Sequence, residues 1–169
     1  MSEMKMQIFR AADAPGLIEA QCMTIQASTP TQQAGMAKMI EAGFLEGDQV
    51  KVLVSLPGFS LTYAWFKKDY PLPLHSHNVD CLYYIIAGSL QLGVETLGPQ
   101  DSFFLPAGAA YAYRPGPDGV ELLEFRHETH FDFNNLAKNE AFFARAVEAI
   151  SANRAAWRTA KPPSARERA

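Results

Sequence analysis

The segment Pro73-Leu74-His75-Ser76-His77 sets two imidazoles two residues apart. In an extended strand successive side chains alternate between faces, so His75 and His77 project the same way. Two neutral imidazoles on one face are half of a site for zinc, iron, nickel, copper or manganese. A solvated edge strand can carry the same spacing, so the pair alone does not require a metal. A site that holds a divalent ion well needs at least three protein ligands, and the remaining donors must come from elsewhere in the chain. No rival catalytic pattern competes: the sequence contains no Gly-rich phosphate loop, HExxH, CxxC pair or G-x-S-x-G elbow.

From Gln49 to Phe133 short apolar or alternating runs are separated by Pro/Gly turns. The runs are Val50–Leu56, Ser60–Lys67, Cys81–Ile86, Leu90–Thr96, Ser102–Leu105, Tyr111–Arg114 and Val120–Arg126. Pro57-Gly58, Pro71 and Pro73, Ala87-Gly88, Gly98-Pro99, Pro106 to Gly108, and Pro115 to Gly119 punctuate them. Runs of this kind at roughly ten-residue spacing predict an antiparallel sandwich or barrel, so the fold class is all-β. The core spans about 49–133, an N-terminal extension covers 1–48, and a C-terminal helix and tail cover 134–169, all within one domain.

The extension offers strand candidates at Met6 to Arg10 and around Gln21 to Gln26. A helix comes next, because Thr29-Pro30-Thr31-Gln32 has capping-box spacing with proline in the first helical position. Met36, Met39 and Ile40 give that helix an apolar side, and Gly43 is placed to end it. Near the C-terminus Phe142, Phe143, Ala146, Val147, Ile150 and Trp157 recur at helical spacing, giving a face for the core or for a partner subunit. Pro162-Pro163 stops this helix.

At 169 residues and 48% hydrophobic, the chain can bury a core without staples. A net charge of -3 with no basic stripe argues against nucleic acid as a partner. The locally basic stretch Arg154 to Arg168 reads as a solvated tail. Cys22 and Cys81 are too few for a disulfide framework. The N-terminus lacks the basic start and apolar stretch of a secretory signal, and no apolar run is long enough to span a bilayer. A soluble cytoplasmic protein with no membrane partner is expected.

The histidine segment and the run after it resemble the cupin family. Its first motif runs glycine, five residues, HxH, three or four residues, glutamate, six residues, glycine; here three residues separate His77 from Cys81 and six separate Cys81 from Gly88. Its second motif centres on Pro-x-Gly, two residues, then histidine, matched by Pro106-Ala-Gly108-Ala-Ala-Tyr111. The run Tyr83 to Leu90 also looks like the family's strand-turn-strand, and the resemblance extends from Gly58 to Arg126. It implies a cupin-type β-barrel, a jelly-roll-like double-stranded β-helix with the N- and C-terminal helices packed outside. It further implies a homodimer, a divalent or transition metal ion (iron, zinc, nickel or manganese), and a small-molecule ligand. Oxygen insertion is the commonest implied chemistry, with isomerase and lyase steps beside it.

This sequence departs from the pattern at the chemistry. Asp69 stands for the leading glycine, Cys81 (with Asp80 beside it) for the glutamate, Tyr111 for the second-motif histidine and Pro115 for the closing asparagine. His75 and His77 therefore match two of the four usual ligands. Tyr111 either ligates the ion as a phenolate, giving up a proton whose ordinary pKa is about 10, or fills the histidine's space as a hydrogen-bonding phenol. Cys81 shares the parity of the histidines and is either a thiolate donor or a small apolar filler. Some thiol dioxygenases among the cupins carry cysteine there, but they keep a third histidine that is missing here.

Parity also nominates Tyr83, Ile85 and Tyr113 as inward residues, with Tyr63 and Trp65 beside them. His127 and His130 lie just past the last predicted strand, where His127 either supports the site from behind or is solvated. Glu124 faces inward or outward depending on a bulge. Two functions fit these residues: a metal-binding cupin acting as an oxygenase or other small-molecule enzyme, and a non-catalytic small-ligand-binding or sensor cupin with a weak or vestigial metal site.

Overall fold

Strands here form where β-branched and aromatic residues alternate with polar ones, and they pair so that one set of faces is buried. The computed structural model describes residues 5–166. In chain order the elements are α1 (Leu17–Ala20), β1 (Met23–Ile25), α2 (Pro30–Ala42), β2 (Asp48–Leu56), β3 (Phe59–Phe66), β4 (His75–Ser76) and β5 (Cys81–Leu92). They continue with β6 (Glu95–Leu97), β7 (Ser102–Leu105), β8 (Arg114–Arg126), β9 (Phe131–Asn135), α3 (Glu140–Thr159) and α4 (Pro163–Arg166). One sheet has the order β2-β3-β8-β5-β6, with β7 also paired to β5, and a smaller sheet has the order β1-β9-β4. The β1–β9 pairing is parallel and every other strand pairing is antiparallel.

Register decides which side chains meet. On β8, Leu122 stands opposite Ala64 and Ile85, and Glu124 stands opposite Thr62 and Tyr83. Residues directly opposite share a face. The inner face of the large sheet therefore carries Thr62, Ala64 and Phe66 from β3, Cys81, Tyr83 and Ile85 from β5, and Val120, Leu122, Glu124 and Arg126 from β8. The outer face carries Tyr63, Trp65 and Glu121.

Several predicted boundaries change. The Ala87-Gly88 turn lies within the single strand β5, which crosses β8 with register shifts between Ile85 and Ala87 and between Gly88 and Leu90. Gly88 and Gly119 both have positive φ (75° and 82°), and a Cβ on Gly88 would lie 2.2 Å from the Gly119 carbonyl oxygen. Paired glycines bend the ladder there without breaking it, which also draws Pro115 to Gly119 into β8 rather than a turn. The run Tyr111–Arg114 is no strand: Tyr111 makes one isolated bridge, to His75, and β8 starts at Arg114. Leu90–Thr96 is divided at Gly93 between β5 and β6. Met6 to Arg10 is irregular and exposed, and β2 instead receives an edge contact from Pro15, whose carbonyl accepts the Val52 N–H at 2.9 Å.

Helix α2 forms at the predicted start. The Thr29 side chain accepts the Gln32 N–H, the Gln32 side chain accepts the Thr29 N–H, and Gly43 closes the helix in the left-handed region. Its buried side is Gln32, Gly35 and Met39, whereas Ile40 is half exposed. Gly35 permits a close crossing with α3, since a Cβ there would lie 2.2 Å from the Phe143 ring.

Along α3 the buried residues are Phe143, Ala146, Ile150 and Trp157, and the Trp157 indole donates to the Lys68 carbonyl at 2.8 Å. The predicted solvated tail is corrected here. Arg154 and Arg158 sit on α3 and both pair with Glu46, at 2.6 Å each. Arg168 lies outside the described residues. Among the described residues no helix is long and apolar enough to cross a membrane.

Candidate functional site

Strand β4 brings His75 to the inside by pairing with β9 (His75 opposite Asn135) and by exchanging backbone hydrogen bonds with Tyr111 at 2.9 and 3.0 Å. The Pro-x-Gly turn is clamped to the same segment, because the Gly108 N–H donates to the His77 carbonyl at 2.7 Å and the Ala107 N–H to Asp80 at 2.8 Å. Beyond His77, the Asn78 N–H donates to the Asp132 side chain and the Asp132 N–H donates to the Asn78 side chain, at 2.7 and 2.8 Å. These bonds lock the HxH segment between β9 and the turn before β8.

Each imidazole is oriented by the backbone. His75 Nδ1 lies 2.7 Å from the Pro73 carbonyl and His77 Nδ1 lies 2.5 Å from the Asp132 carbonyl. A carbonyl only accepts, so both protons sit on Nδ1 and each Nε2 keeps its lone pair. Burial pushes the His75 pKa down to about 4 against the raising effect of the Pro73 carbonyl, and burial lowers His77 too. Both rings are neutral at pH 7, with centroids 5.0 Å apart.

Aromatic rings enclose the pair. Phe133 stacks on His75 at 4.8 Å, Tyr111 stands 4.3 Å from His75, and Phe131 meets His77 edge-on at 5.3 Å. The Tyr83 and Tyr111 hydroxyls are hydrogen-bonded to each other, and Tyr83 stacks on Phe103 at 4.5 Å. Tyr113 stacks beyond Tyr111 at 6.2 Å. Burial raises the pKa of Tyr83, Tyr111 and Tyr113, with Glu124 adding to the effect, so all three are protonated phenols at neutral pH. The buried Cys81 thiol is pushed up to about 12 by burial and then by Glu124, which leaves no thiolate at pH 7.

One ion pair shares this interior. Arg126 Nη2 lies 2.7 Å from Glu124 Oε2, with side chains 1% and 13% exposed. The guanidinium carbon sits 4.0 Å from the Phe131 ring centroid. Burial pulls the arginine pKa down, but the Glu124 carboxylate outweighs it and the net shift is upward. Nε and Nη1 of Arg126 are buried without a hydrogen-bond partner among the described residues.

The donor set suits a metal in its imidazoles, since a ligating histidine commonly gives its other N–H to a carbonyl. The set stops short at the third donor. Among the described residues no group of three His, Cys, Asp or Glu lies close enough to hold an ion.

The structure thus gathers His75, His77, Cys81, Tyr83, Tyr111 and Tyr113, and leaves others out. Trp65 and Tyr63 sit on the outer face of β3, where Lys67 lies 5.0 Å from the Trp65 ring and the Tyr63 hydroxyl donates to Glu121 at 2.7 Å. That placement corrects the nomination of Trp65 for the pocket. His127 and His130 are exposed between β8 and β9.

The residues unforeseen as part of the interior are Arg126, Phe131 and Phe133; only the alternation along β8 hints at the first. A cleft of about 670 Å³ runs between α3 and Tyr70, Tyr113 and Arg114, and another of about 400 Å³ lies beneath residues 8–15. Neither is lined by His75 or His77.

Sheets stacked in this way, with an HxH pair and a Pro-x-Gly turn meeting between them, define a cupin β-sandwich, and the chain has the cupin fold. It is similar to the polyketide cyclase RemF from Streptomyces resistomycificus, with TM-score 0.57, 16% identity, and coverage of 88% of this chain and 97% of that one. It is also similar to a protein of unknown function with a cupin-like fold from Ralstonia eutropha JMP134, with TM-score 0.51, 14% identity and 90% coverage of both chains. No protein-family model matches the chain, and no curated protein matches it.

Proposed function

We propose that this chain is a metal-binding cupin enzyme acting on a small organic molecule between its sheets, with strands closed as a barrel around the histidines. The observation that carries the proposal is the pair of Nδ1 bonds to the Pro73 and Asp132 carbonyls, which leaves both Nε2 lone pairs available on one strand segment. His75 and His77 would hold iron, zinc, nickel or manganese. Tyr111, whose ring centroid stands 4.3 Å from that of His75, is the candidate third ligand. A bound ion would supply Lewis-acid polarisation of a substrate oxygen.

The chain's own residues do the rest. The rings of Phe131, Phe133 and Tyr111 wall the histidines and exclude water. Burial holds the Tyr83 proton at neutral pH, so Tyr83 can donate a hydrogen bond to a substrate oxygen while Tyr111 serves the ion. The likeness to a polyketide cyclase supports small-molecule chemistry of this kind.

The absence of a three-residue donor group among the described residues favours a second reading, a small-ligand-binding or sensor cupin without turnover. A homodimer in the cytoplasm belongs to either reading, and light scattering tests the dimer.

Elemental analysis of untagged protein, alongside a His75→Ala/His77→Ala variant, tests the proposal. Near-stoichiometric metal in the parent and none in the variant is expected. A parent that takes up no metal under any loading contradicts the metal centre. Ligand binding without turnover across a broad substrate screen moves the function to the second reading.

A further inference from the structure

We infer that Arg126 is the anchor for an anionic group of the ligand, and that the ligand is a small planar carboxylic acid. This rests on the proposal that the space between the sheets is a small-molecule site, and it adds the chemical class of the molecule.

A guanidinium presents five N–H donors and demands partners when water cannot reach it. In Arg126 the side chain is 1% exposed, yet Glu124 meets it through one oxygen on Nη2, not through the two parallel bonds a carboxylate forms with arginine at full engagement. Nε and Nη1 are left buried without a partner among the described residues. A purely structural ion pair would close these donors, because an unmade hydrogen bond from a buried charge is costly. They are kept open for a group that arrives later.

The surroundings select the kind of group. Arg126 lies on the inner face, opposite Ser60 on β3, and its charge reaches His75, His77, Cys81, Tyr83 and Tyr111. Glu124 meets the arginine through a single oxygen, so the guanidinium has donors to spare for a second anion. Phe131 holds the guanidinium from one face at 4.0 Å and Phe133 stacks on His75 at 4.8 Å, so the walls around the open donors are aromatic. A carboxylate on a flat, unsaturated or aromatic frame satisfies both features: it takes the open N–H groups and lies against the rings.

Calorimetric titration of the full chain, as purified, with benzoate and with its neutral counterpart benzamide tests the inference. The same titrations are made on Glu124→Gln/Arg126→Met, which removes both charges together, on Arg126→Lys, and on His75→Ala/His77→Ala. Benzoate is expected to bind the parent at least tenfold more tightly than benzamide. That preference should vanish in the double-charge variant, fall in Arg126→Lys and survive in His75→Ala/His77→Ala. Metal content should be unchanged in the two arginine variants, so a failure of the metal proposal appears separately.

No preference for benzoate in the parent overturns the inference. So does a preference retained in the arginine variants, or one lost only with the histidines, which would assign the anion to the ion. Should the double-charge variant fail to fold, Arg126→Lys alone decides between these outcomes.

Discussion

Among the described residues, two arginine–glutamate clusters are built in opposite ways. Glu46 collects Arg154 and Arg158 from α3, each at 2.6 Å, in a partly exposed setting where every contact is also open to water. Glu124 and Arg126 are neighbours on one strand, buried, joined by a single contact at 2.7 Å, with two guanidinium nitrogens unpaired among the described residues. The first cluster ties a helix to the body of the fold and is screened by solvent. The second adds little to stability for its burial, and its charge reaches the histidines and phenols. The incomplete pair is therefore the one proposed to meet a ligand.

Breaking the inner pair should have the largest effect. Arg126→Met leaves the Glu124 carboxylate buried without its partner and should cost about 3–5 kcal/mol in urea denaturation. Glu124→Gln/Arg126→Met should recover most of that loss. If the single and double variants are equally unstable, the cost comes from packing against Phe131 and not from charge.

An intermediate effect belongs to Asp48, a carboxylate between the two extremes. Burial raises its pKa to about 6 against the lowering influence of Lys67. The folded chain thus holds a proton that the unfolded chain releases near pH 4, so this stability is present at low pH and is lost as pH rises to about 6. Asp48→Asn should be more stable than the parent by about 1–2 kcal/mol at pH 7.5, with the difference disappearing by pH 4. A constant difference across that range would mean that ionisation of Asp48 is not its source.

The outer cluster should give the smallest effect. Arg158 and then Arg154 hold the Glu46 pKa down to about 2, so its contribution is present above pH 4 and fades as pH falls through 2. Glu46→Gln should move the urea midpoint less than either change above, and less again in 1 M salt. A loss as large as that of Arg126→Met would erase the contrast between the clusters.

Local features are legible in the sequence and distant ones are hidden. His75, His77, Cys81, Tyr83 and Tyr111 are nominated by strand parity and the motif spacing, and all are gathered inside. The capping box at Thr29 needs only its own four residues, and it forms. By contrast, Ala87-Gly88 reads as a turn because its dipeptide is turn-like, and only contact with Gly119 on another strand makes it a bulge. Strand β9 is hidden because polar Asp132, Asn134 and Asn135 break the apolar run, and its partners β1 and β4 are far away in sequence. Arg154 and Arg158 look like a solvated tail until Glu46 comes near. Arg126 is obscured for the same reason: a charge at the end of a strand shows its burial only through its neighbours across the sheet.

Anomalous scattering from crystals of the protein purified without chelators tests the central claim most directly. A single metal peak is expected within coordination distance of Nε2 of both His75 and His77. An ordered interior with no peak there after soaking in iron, zinc, nickel or manganese, and with both Nε2 atoms bonded to water or protein instead, would contradict it.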